Sequence, residues 1–121
     1  MRRFVLAVTI MSGLSGAALA EEATRPDIAS WSATGNDLYE KCTSANSAVA
    51  HACAEYLLGL MTGIVISTPA NAQIICPPSS VSFFQLELAY INWAKAHPEL
   101  LSREPSLPAA AALRAVFPCS K

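Results

Sequence analysis

The stretch Cys53-Ala54-Glu55-Tyr56-Leu57-Leu58-Gly59-Leu60-Met61-Thr62-Gly63-Ile64-Val65 decides how the rest of this chain is read. Cys53, Tyr56, Leu57, Leu60, Met61, Ile64 and Val65 recur at spacings of three and four, which places them on one buried stripe of a helix. Gly59 and Gly63 share that helix as a small-xxx-small pair. The apolar run is too short for a bilayer span of roughly 20 residues, so their expected use is close approach of a neighbouring helix. Each glycine weakens the helix by about 1 kcal/mol relative to alanine, and close packing would have to offset that.

Working outward, three further helices are legible. A first begins at Thr34-Gly35-Asn36-Asp37 and runs through Leu38 and Tyr39 to Cys42. Thr34 or Asn36 can cap it, and Asp37 and Glu40 suit the positive end of its dipole. It ends in the polar run Thr43 to Ser47. After Ser67, Thr68-Pro69-Ala70-Asn71 breaks the central helix, and a loop continues to Cys76-Pro77-Pro78. Ser82 and Gln85 then form a capping box, with Val81 and Leu86 placed for a hydrophobic staple. This third helix carries Leu86, Ala89, Tyr90 and Trp93 and stops before His97-Pro98. Glu99 to Pro105 reads as a polar connector. Ser106 and Pro108 start a fourth helix that reaches Phe117 before Pro118 stops it. No alternating strand and no repeat is visible. The expected fold class is all-α, a small bundle of about four helices stapled by two disulfides.

The N-terminus reads as an export signal. Arg2 and Arg3 precede the apolar Phe4 to Met11, and Ala18-Leu19-Ala20 is a small-x-small cleavage site. The expected organisation is a signal peptide over 1–20, a leader over 21–33 and a helical domain over 34–121. Export to the periplasm, with no membrane insertion after cleavage, follows. Cleavage leaves six Lys and Arg against nine Asp and Glu, a net charge of −3. A mildly acidic chain without a basic cluster argues against nucleic acid as a partner.

All four cysteines, Cys42, Cys53, Cys76 and Cys119, lie in the exported part, where an even count favours disulfides. Zinc is the competing reading, but there is no C-x-x-C, and His51 and His97 lack ligand spacing to the cysteines. Four cysteines allow three connectivities. A short connector makes the third and fourth helices antiparallel, bringing Cys119 back to Cys76 and leaving Cys42 to pair with Cys53.

Chemistry is hard to find. His51 lies one turn before Glu55, a spacing typical of an exposed pair, and His97 sits at a helix end where terminal carbonyls are its ordinary partners. No nucleophile context surrounds any serine, and no haem or phosphate motif occurs. The expectation is no catalytic residue, no metal, no cofactor, and a role in binding a protein.

Taken in order, several stretches resemble the Rap and Tai family of periplasmic immunity proteins. They are Gly35-Asn36-Asp37-Leu38-Tyr39-Glu40-Lys41-Cys42, Cys53-Ala54-Glu55-Tyr56-Leu57-Leu58-Gly59, Cys76-Pro77-Pro78, the helix start from Val81 to Gln85, His97-Pro98-Glu99 and Ala115-Val116-Phe117-Pro118-Cys119. The resemblance implies a small all-helical disulfide fold and inhibition of a peptidoglycan amidase toxin, delivered by type VI secretion, through occlusion of its active site. Such proteins can act as dimers, so the resemblance leaves a homodimer open as an assembly. The Thr68–Ile75 and Glu99–Pro105 connectors are the segments available to protrude. In the first, Pro69 and Asn71 favour a turn, and Ile74 and Ile75 are candidate apolar anchors, unless they plug the core beside Cys76. Pro69, Asn71 and Ile74 are therefore the candidate partner-binding residues. A periplasmic structural or chaperone-like protein is the alternative function, and a neighbouring cell-wall hydrolase gene would discriminate the two.

Overall fold

A computed structural model describes residues 33–120, and the expected signal peptide and most of the expected leader lie outside them. Four helices appear in the expected order: α1 (Gly35–Cys42), α2 (Ser47–Ser67), α3 (Phe83–Ala96) and α4 (Ser106–Val116). No strand occurs among the described residues. The starts of three helices are fixed by side chains. Thr34 caps α1 in a capping box: its hydroxyl accepts the Asp37 N–H at 3.3 Å, and the Asp37 carboxylate accepts the Thr34 N–H at 2.8 Å. Asp37 thus closes a cap as well as meeting the dipole. Asn46, inside the polar run after α1, caps α2 by accepting from Ala48 and Val49. Ser82 and Gln85 form the capping box of α3, and Val81 packs half-buried on the core beside it.

α2 lies at the centre, packed on α1 and α3, with α4 closing the bundle against α3. Leu38, Leu57, Met61, Leu86, Tyr90 and Leu113 meet in one core, each at most 3 % exposed. Burying a leucine or tyrosine side chain contributes about 1.5–3 kcal/mol. Both disulfides join the expected partners. Cys42–Cys53, with Cα atoms 5.2 Å apart, is buried and ties α1 to α2 across 11 residues. Cys76–Cys119, with Cα atoms 4.8 Å apart, spans 43 residues and closes the start of the α3 segment onto the end of α4.

Three expectations are corrected. Gly59 and Gly63 face open space, with nothing within 4 Å of where a Cβ would stand. They do not admit a neighbouring helix, and no contact within the described domain offsets their propensity cost. Gly59→Ala and Gly63→Ala should therefore each raise stability, by up to about 1 kcal/mol. Urea unfolding of the oxidised protein checks this, and a loss on either substitution would mean that something covers this face. The length of α2 is the second correction. At 21 residues with a window hydropathy of 1.6, it is long and apolar enough to cross a membrane by length and composition. The apolar stripe hid this because Asn46 starts the helix two turns before Cys53. Buried contacts at Cys53, Ala54, Leu57 and Met61 use α2 as the core helix of this domain.

The third correction concerns the connector between α3 and α4. It is held to α1 and the core rather than free to extend, although Glu99, Leu100 and Ser102 to Glu104 are exposed. Pro98–Leu100 forms a 3-10 turn, Leu101 enters the core, and the carbonyls of Leu101 and Arg103 accept the N–H groups of Asn36 and Gly35 at 2.9 Å each. The connector thus satisfies two of the donors that the first turn of α1 leaves open. Tyr90 reaches the same place from α3 and donates its hydroxyl to the Gly35 carbonyl at 2.8 Å. Burial, then the neighbouring Tyr56, pushes the Tyr90 phenol well above its ordinary range. Tyr56 is itself raised by burial and then by the Glu104 carboxylate.

Candidate functional site

The loop between α2 and α3 is built as a braced projection. Thr68, the last cap of α2, donates its hydroxyl to the Ile64 carbonyl at 2.6 Å. Pro69 then turns the chain outward into one 3-10 turn, Ala70–Ala72, closed by the Ala72 N–H on the Pro69 carbonyl at 2.8 Å. The Gln73 amide reaches back and donates to the carbonyls of Thr68 and Val65 at 2.6 and 2.8 Å. It satisfies acceptors that the helix end leaves unpaired.

The far end of the loop is fixed three times. Ile75 is 1 % exposed in the core, the Cys76 N–H donates to the Phe117 carbonyl at 2.8 Å, and Cys76 is bonded to Cys119. Between these anchors the candidates Pro69, Asn71 and Ile74 all remain exposed. Ile74 is 47 % exposed, on the rim of a hollow of about 320 Å³ that it shares with Gln73, Arg114, Pro118, Cys119 and Ser120. The two isoleucines therefore divide the alternatives: Ile75 plugs the core and Ile74 faces outward. Sequence reasoning missed Arg114 and the C-terminal Pro118 to Ser120 as neighbours of the loop. The signal was present in the Cys76–Cys119 pairing, which brings those residues there.

This arrangement presents an apolar side chain, a turn and a guanidinium on a pre-ordered backbone. Little conformational freedom is left to lose on binding, and that lost freedom is a principal cost of association. Nothing in it resembles an acid, base or nucleophile set. His51 pairs with Glu55 at 3.4 Å on the outside of α2, its ring edge-on to Phe83. His97 hydrogen-bonds the Trp93 carbonyl through Nδ1 at 2.8 Å and stacks on the Trp93 ring. Among the described residues, no group of three or more His, Cys, Asp or Glu side chains is gathered for a metal ion.

A family model described as Rap1a immunity proteins matches residues 34–119. The matched span opens on the Thr34 cap and closes on the Cys119 disulfide. No curated protein and no solved structure matches the chain.

Proposed function

The chain belongs to the Rap1a immunity protein family, and from that premise we propose that it is exported, binds a peptidoglycan amidase toxin in the periplasm and blocks it without catalysing anything itself. An immunity protein binds a toxin, and the braced Thr68–Ile75 loop is the observation that carries the finer reading. Its exposed Pro69, Asn71 and Ile74 stand on a backbone locked by Gln73, Ile75 and the Cys76–Cys119 bond, the rigid presentation that occlusion of a cleft requires. Export fits twice. Two disulfides persist in an oxidising compartment, and a cell-wall hydrolase meets its inhibitor only outside the cytoplasm. The domain boundaries fit as well: a signal over 1–20, cleaved after Ala20, a leader over 21–33, and the inhibitor from 34 onward. Type VI delivery by sister cells is the expected source of the toxin.

Deletion of the gene should leave cells killed by toxin-delivering sister cells, with protection restored by the full-length chain. Ile74→Glu should weaken binding to the toxin by at least about 30-fold, as loss of an interface anchor does, with an unchanged melting temperature because Ile74 is half exposed. A deletion strain as resistant as its parent would replace this reading with a structural or chaperone-like role.

A further inference from the structure

The two disulfides stand in opposite surroundings. Cys42 and Cys53 are 4 % and 1 % exposed, sealed between α1 and α2, so a reagent reaches their sulfurs only when the core opens. Cys76 is solvent-exposed and Cys119 half-buried, and Cys119 also lines the hollow of about 320 Å³ beneath Ile74. Arg114 lines the same hollow, and no other described side chain lining it is charged. Thiol–disulfide exchange needs an attacking thiolate and releases another. Access to a sulfur and a cation beside it therefore both favour the reaction.

We propose that Cys76–Cys119 is a thiol–disulfide exchange site for a dithiol reductant, and that opening it releases the Thr68–Ile75 loop while the bundle stays folded. One thiolate of the dithiol, drawn in by Arg114, enters the hollow and attacks Cys119 Sγ. The Cys76–Cys119 bond breaks, and its electron pair leaves on Cys76 Sγ, which takes a proton from water. The second thiolate of the reagent then attacks the reagent's own sulfur in the mixed disulfide. Cys119 leaves as a thiolate and is protonated in turn. The dithiol ends as a cyclic disulfide, and the protein has gained two electrons and two protons. The bundle survives because its other anchors do not depend on this bond. Ile75 and Leu113 are 1 % and 0 % exposed, and Cys42–Cys53 still ties α1 to α2. What is lost is the covalent link between the end of the loop and the end of α4. The consequence for the toxin rests on the toxin-binding reading: a loop that is no longer pre-ordered must be ordered on binding, and affinity falls.

Graded reduction of the oxidised mature protein with dithiothreitol, trapped with N-ethylmaleimide and mapped by peptide mass, tests the site without any toxin. Cys76 and Cys119 should be labelled at a dithiothreitol concentration at least about tenfold below that which labels Cys42 and Cys53. The protein labelled at this pair should keep its helical circular dichroism. Arg114→Gln should slow labelling of the pair by about threefold or more at low ionic strength, a difference that salt removes. Labelling of all four cysteines together, or of Cys42 and Cys53 first, would overturn the site. An unchanged rate in Arg114→Gln would overturn the part assigned to the guanidinium. Calorimetric titration into the amidase then separates the two readings. Cys76→Ser with Cys119→Ser should bind at least about tenfold more weakly than the oxidised wild type. Equal binding would overturn the switch, whereas no binding by the oxidised wild type would overturn the toxin reading and leave the exchange site standing.

Discussion

Removing the Cys76–Cys119 bond by Cys76→Ala with Cys119→Ala should lower stability by about 4 kcal/mol, the largest loss expected from any pair of substitutions outside the core. The bond spans 43 residues, and the entropy regained by the unfolded chain grows with the logarithm of the closed loop. The same reasoning gives about 3 kcal/mol for the Cys42–Cys53 bond, which spans 11 residues. Against a typical total of 5–15 kcal/mol for a domain, either loss is large. The longer bond also holds the base of the projecting loop, where Cys76 is itself solvent-exposed. Its loss should therefore weaken toxin binding beyond the loss of stability. Urea unfolding of the oxidised wild type and the double variant measures the difference. A change below about 1 kcal/mol would mean that the bond constrains the unfolded chain far less than its span implies.

The second large effect is expected at Gly35. A Cβ there would stand 2.8 Å from the Pro108 ring and 3.1 Å from both the Leu101 carbonyl and the Tyr90 hydroxyl. Those atoms belong to α4, the α3–α4 connector and α3, so no single side chain can swing away to make room. Gly35→Val should cost about 3 kcal/mol through overpacking and displacement of the Tyr90 hydrogen bond to the Gly35 carbonyl. Burial of the same phenol, and then the neighbouring Tyr56, gives the fold an alkaline limit. The Tyr90 phenol is held above its ordinary value in the folded state, whereas in the unfolded chain it titrates near the usual value of about 10. The stabilisation is thus complete below pH of about 10 and is lost as pH rises beyond it. Tyr90→Phe should be less stable than the wild type at neutral pH and should lose less on going to alkaline pH. Equal alkaline sensitivity of the two proteins would place the limit elsewhere.

Why some of this could be read from sequence and some could not follows from the range of the interactions. The Ser82–Gln85 box and the Thr34 cap are contacts three residues apart, so the pattern and its structure are nearly the same object. The disulfide pairing needed one further step, the antiparallel return forced by a short connector, and both bonds form as that step predicts. Gly59 and Gly63 failed because the absence of a side chain reads alike whether a helix or solvent stands opposite. Asn46 was hidden among similar polar residues, any of which can cap, and the true length of α2 was hidden with it. The contact among Gly35, Tyr90, Leu101 and Pro108 joins residues far apart in the chain, and no local signal announces it.

The candidate site was legible to the same depth. A loop after Ser67 and a turn at Pro69 are local properties, but adjacent isoleucines in a segment without a period carry no sign of which one turns inward. Only the fold separates the buried Ile75 from the exposed Ile74.

The central claim is inhibition by binding, and the most direct measurement is a titration of amidase activity. Purified, oxidised protein beginning at Glu21 is added to each peptidoglycan amidase encoded in the same genome, and clearing of a cell-wall suspension is followed. The account predicts that one amidase is silenced in proportion to the inhibitor added, reaching completion at a fixed stoichiometric ratio, with the inhibitor recovered at unchanged mass. Undiminished clearing by every amidase at a large excess of the protein, or clearing by the protein alone, would contradict it.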